Sequence, residues 1–130
     1  MAEKTNTVTD EKIEKYLDIT GRALAKLKVA APEKSFNRRL ADCSLEMANC
    51  YYFDAKHFKE SGDIATAFAA VNYAHAWLDC GARIGLFDVD GDDVLFTLYE
   101  RCGQAPRTGH TRTLSPWGRA ACGPPSAERR

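Results

Sequence analysis

Two long stretches of helical periodicity are separated by nothing more than Ser61-Gly62-Asp63. Upstream, Phe36, Leu40, Cys43, Met47, Cys50 and Asp54 step by four and three, a near-heptad seam. Leu45, Ala48, Tyr52 and Ala55 form a second apolar line beside it. Downstream, Ile64, Phe68, Val71 and Leu78 make one line, and Ala70, Tyr73, Ala74, Trp77 and Ile84 another. Gly62 suits the left-handed residue that ends a helix, and Asp63 can cap the next helix at once. So short a connection makes the two helices antiparallel neighbours.

The rest of the chain fits around that hairpin. Thr9 or Asp10 can cap a first helix, in which Ile13, Tyr16, Leu17, Thr20, Leu24 and Leu27 form one buried stripe. Gly21 weakens this helix without breaking it. Pro32 ends it or opens the next. The expected fold is all-α, an up-and-down bundle of three main helices at about 10–29, 34–61 and 63–84. The third is expected to be central. After it, Asp90-Gly91 signals a turn. Residues 94–99 fit helix or strand, and the reading favours one or two helical turns folded back on the bundle.

Charge divides the chain. Residues 1–100 hold 12 Lys+Arg against 17 Asp+Glu, a net of −5; residues 101–130 hold six against one, a net of +5. The basic part is rich in Gly, Pro, Arg, Ser and Thr and lacks apolar periodicity. It reads as a flexible, disordered tail after a bundle domain at 1–100. The whole chain is neutral, which gives no general pull toward nucleic acid or an anionic membrane. No run approaches the length of a membrane span. Five cysteines without a Cys-x-x-Cys pair exclude a disulfide framework and a zinc ribbon. Cys43 and Cys50 share a helix face and are expected to pack as small apolar groups. Free thiols point to the cytoplasm.

The polar groups that hairpin packing does not require are the candidate ligand-binding residues: Asp54, His57, Asp63, Tyr73, His75 and Asp79. Asp54 lies within the near-heptad seam, where burial would demand a partner. Asp54 and His57 share a face, as do His75 and Asp79. The antiparallel register separates the two histidines too far for one metal. His75, Asp79 and Arg83 read as an i, i+4 ladder on a solvated stripe. Asp88 to Asp93 resembles a calcium loop, but the sixth and twelfth positions are Asp93 and Tyr99 rather than Gly and Glu. Tyr51, Tyr52, Tyr73 and Trp77 read as core or as a partner surface. No nucleophile elbow, phosphate loop or dinucleotide fingerprint occurs, so no catalytic residue, metal or cofactor is assigned.

Tyr52, Asp54, Ala55, His57, Phe58, Gly62 and Asp63, then Ala67-Phe68, Tyr73-Ala74, Ala76 to Asp79, Gly81 and Gly85 to Phe87 form a combined pattern. Over about residues 10–98 it resembles the archaeal domain-of-unknown-function family 357. The resemblance implies a small cytosolic helical bundle and no activity. A looser likeness is to tetratricopeptide-type hairpins and to the nucleotide-binding helical domains of toxin systems. Those domains place a histidine four to six residues after an arginine, and Arg38, Arg39 and Arg101 have none there. The leading functional expectation is a non-catalytic module for self-association or protein interaction. The alternatives are a small-molecule or metal-dependent enzyme using Asp54, His57 and Asp63, and a nucleic-acid role through the basic tail.

Overall fold

Each helix starts where a short polar side chain can take up its free amides. In the computed structural model, which describes residues 6–98, α1 spans Asp10–Lys26 behind Thr9, whose hydroxyl accepts from the Lys12 amide. The second helix, α2 (Phe36–Glu60), follows Ser35, which accepts from the Arg38 amide at 3.0 Å. The third, α3 (Ile64–Arg83), follows Asp63, which accepts from the Thr66 amide at 3.1 Å. The fold is the expected three-helix, all-α architecture.

The hairpin turn closes as its sequence foretells. Gly62 has φ +88°. The Asp63 amide bonds back to the Phe58 carbonyl at 2.9 Å and the Gly62 amide to Lys59 at 3.0 Å. These two bonds make a Schellman motif, which satisfies the last carbonyls of α2. Asp63 therefore ends one helix with its backbone and begins the next with its side chain.

Two features differ from expectation around the ends of α1 and α3. Leu27 turns extended, with ψ 149°, so α1 stops at Lys26 instead of continuing to 29. Lys28–Val29 forms a short strand, β1, antiparallel to β2 at Phe87–Asp88. The Ala30 amide extends this pairing to the Leu86 carbonyl at 2.9 Å. Residues 92–98 fold back on the bundle, but through turns and a bend rather than helical turns. Asp92 arranges this: its Oδ1 accepts from the Val94 and Leu95 amides, each at 2.9 Å. That local side-chain bonding competes with a helix.

The core has two parts. Near the hairpin turn, Ile13, Leu17, Ala55, Ala67 and Val71 pack together. Toward the other end, Ile19, Ala23, Ala41, Ala48 and Leu78 meet Leu86, Phe87, Val89, Leu95 and Phe96. α3 contacts both other helices, as its position in the sequence pattern predicts. On α2 the buried positions include Ala41, Ala48 and Ala55, flanked by Leu45 and Tyr52. The second apolar line is thus the core line. The near-heptad seam beside it is left largely open, with Phe36 70% exposed and Leu40 40% exposed. Cys43 and Cys50 are exposed and do not pack as core groups. Small alanines win the interface because they let α2 and α3 approach closely; the bulkier seam residues lie about a third of a turn away. The expected tail, 101–130, and residue 99 lie outside the described residues.

Candidate functional site

The six candidate residues separate into three environments. Asp54 and His57 are exposed on α2. For Asp54 this corrects the expectation of a seam carboxylate that burial would force to find a partner. The His57 ring stands 6.0 Å from Phe58, edge to face. Asp63 is the exposed cap of α3, and its hydrogen bonds to Thr66 lower its pKa below the ordinary carboxylate value. Asp54, His57 and Asp63 share no hydrogen bond or ion pair among the described residues.

Tyr73 is 45% exposed. Its ring meets Tyr51 of α2 at 4.4 Å and Trp77 at 6.1 Å, both edge to face. Edge-to-face stacking of this kind suits aromatic quadrupoles. It also sets the register of the hairpin: Tyr51 is level with Tyr73. Counting outward along both helices, Met47 is level with Trp77 and Leu40 with Ile84.

His75 and Asp79 are brought together, but not on a solvated stripe. His75 is 2% exposed, which overturns the solvated part of that reading, while the i, i+4 contact between His75 and Asp79 is present. At His75 the stripe is covered by α1 on one side and by residues 92–98 on the other, while Arg83 is exposed. His75 Nε2 lies 2.9 Å from the Leu95 carbonyl, and Nδ1 lies 3.1 Å from Thr20 Oγ1. A carbonyl only accepts, so Nε2 carries the proton and donates to Leu95. In the neutral ring Nδ1 then accepts from the Thr20 hydroxyl. Asp79 Oδ1 lies 3.5 Å from Nε2 and accepts from the Thr97 amide at 2.9 Å. One imidazole and one carboxylate thus tie α1, α3 and the C-terminal segment together.

Hydroxyl, imidazole and carboxylate in sequence have the outline of a nucleophilic triad. Thr20 is fully buried, and Phe96 lies over the histidine with ring centroids 6.4 Å apart. No substrate carbonyl can reach that hydroxyl. Both ring nitrogens are engaged, so neither presents a lone pair to a metal. The arrangement is a buried polar clasp whose members satisfy one another, as groups removed from water must be. Thr20 counted in the sequence only as a stripe residue; nothing local marks it as the partner of a histidine 55 positions away.

Between α1 and α2 there is a groove of about 360 Å³, lined by Glu14, Leu17, Asp18, Tyr52, Lys56 and Glu60 among others. Its charges are mixed: Lys59 pairs with Glu14, and the Lys56 ammonium sits 4.4 Å from the Tyr52 ring centroid. Glu14, Asp18 and Glu60 stand against Lys56 and Lys59, so the lining differs from neutral by a single negative charge. Among the described residues no group of three or more His, Cys, Asp or Glu side chains could hold a metal ion. Nor is any described helix long and apolar enough to cross a membrane.

What sequence reasoning missed is that the near-heptad seam of α2 lies on the open side of the hairpin. Phe36 and Leu40 on α2 stand on the same side as Tyr73, Trp77 and Ile84 on α3, opposite the side that α1 covers. Ile84 is 65% exposed. The signal was present in the steps of four and three, but an a/d seam looks the same whether its partner is inside the chain or outside it.

No curated protein matches this chain, and no solved structure matches it. The sequence profile described as protein of unknown function (DUF357) matches residues 15–87. That match covers more than half of the 130 residues, includes both helices of the hairpin and its turn, and establishes that the chain belongs to the DUF357 family.

Proposed function

We propose that this protein is a non-catalytic interaction module whose working surface is the open face of the α2–α3 hairpin. The observation that carries the reading is the set of exposed apolar side chains on both helices, with Phe36, Leu40 and Ile84 toward one end and Tyr73 about three turns further along. Several large apolar side chains exposed on one side of a hairpin are a feature of docking surfaces. The buried alanines below hold the two helices in fixed register, so the face is presented ready-formed and loses little freedom on binding. A cytoplasmic location and an archaeal source belong to the same reading. Cys43, Cys50 and Cys80 are free thiols, which suit a reducing compartment.

Cys43 and Cys80 flank this face and report on it. Maleimide labelling, read peptide by peptide, is to be compared between the dilute purified chain and a fresh lysate of the cells that make it. A covered face protects both thiols in the lysate. Full labelling of both thiols in the two samples alike would remove the reading.

A further inference from the structure

The inference here rests on the reading of the α2–α3 face as a docking surface, and names its occupant. Phe36, Leu40, Cys43 and Met47 step by four, three and four along the open side of α2. Arg39 and Glu46 stand one residue before Leu40 and Met47, on the outer edge of that seam. Both are exposed, and neither forms an ion pair or side-chain hydrogen bond among the described residues. Their neighbour Arg38, by contrast, is paired with Asp42 at 2.9 Å within the same helix.

Opposite charges seven residues apart lie on one edge of a helix, two turns apart. Such an edge is complementary to itself when reversed. A second α2 running antiparallel brings Arg39 of each chain against Glu46 of the other, twice over. The same register sets Leu40 against Cys43 and Phe36 against Met47, so apolar groups meet across the seam. A parallel pairing gains nothing from these charges, because it brings Arg39 near Ser44 and Glu46 near Tyr51. The antiparallel contact obeys a two-fold axis and therefore closes on two copies without growing into a filament. From the self-complementary edge and the seam it borders, we infer that the occupant is a second copy of this chain, joined α2 against α2 in antiparallel.

Sedimentation equilibrium of the full chain tests this. The expected mass rises with concentration from 14.4 kDa to twice that value. Arg39→Glu and Glu46→Arg each turn two attractive pairs into repulsive ones and weaken association about tenfold. The double variant R39E/E46R restores wild-type association. An equimolar mixture of the two single variants associates as tightly as wild type, because each supplies the charges the other lacks. Helical circular dichroism of the single variants stays at the wild-type level, since both positions are exposed. A dimer indifferent to the single changes, or a double variant as weak as either single one, overturns the inference.

A strict monomer also overturns it, and thiol labelling then distinguishes the causes. Cys43 protected at every dilution assigns the face to residues 99–130 of the same chain. Cys43 protected only in lysate assigns it to a different protein, and the docking reading survives. Cys43 labelled equally everywhere removes both the inference and the reading beneath it.

Discussion

Gly81 and Gly21 both sit inside helices, where glycine costs about 1 kcal/mol relative to alanine. Their surroundings explain them differently. A Cβ on Gly81 would fall within the Phe87 ring, whose buried position under α3 fixes it. A Cβ on Gly21 would approach the Tyr52 hydroxyl at 2.6 Å, the far end of a half-buried side chain that can swing aside. Overpacking a fixed ring costs about 1–3 kcal/mol, more than the helix gains. Gly81→Ala is therefore expected to lower unfolding stability by about 1–2 kcal/mol net. Gly21→Ala is expected to lie between neutral and about 1 kcal/mol stabilising. Urea denaturation of the two variants against wild type measures both. Equal effects would show that helix propensity alone governs these sites.

Among the elements, α2 carries two apolar lines, and burial chose between them by size. The seam read first, through Phe36, Cys43 and Cys50, is the exposed one; the alanine line is the core. Periodicity revealed both lines but could not rank them, because ranking depends on how closely α3 approaches. The boundaries and the turn were legible because Gly62, Asp63 and Thr9 act locally. The clasp at His75 was not, because it joins Thr20 and Leu95 across 55 and 20 positions. Asp54 conflicts with its seam only if that seam is core; its exposure removes the conflict. The distinction can be measured in dilute solution, where the open face is free. Leu40→Gln there is expected to change stability by no more than about 0.5 kcal/mol, as for exposed sites generally. Ala48→Leu forces bulk into a fully buried position of the core and is expected to cost about 1–3 kcal/mol. A Leu40 variant as damaging as the Ala48 variant would put the seam back in the core.

Over the whole molecule, residues 92–98 act as the clamp that closes the end away from the hairpin turn. They bury Leu95 and Phe96, and three polar attachments hold them: His75 to the Leu95 carbonyl, Asp79 to the Thr97 amide, and Asp92 to Lys26. Burial pushes the Asp92 carboxyl up. Its bonds to the Lys26 ammonium at 2.6 Å and to the Leu95 and Val94 amides outweigh that and leave its pKa below the ordinary value. A carboxyl whose folded pKa is depressed contributes stability that is fully present above its unfolded pKa, near 3.9. That contribution is lost as the pH falls through the lower folded value. The attachment is therefore complete at neutral pH and fails in acid, below about pH 4. Hydrogen exchange of the Leu95 and Thr97 amides, followed from pH 6 to pH 3, is expected to show this segment opening before α2 and α3 lose protection. Asp92→Ala removes the titrating group, so its segment is expected to exchange faster already at pH 6 and to show less additional opening in acid. Identical pH profiles for the variant and wild type would show that Asp92 does not control the clamp. Simultaneous loss of protection in 92–98 and the hairpin would show that the clamp and the bundle open as one unit.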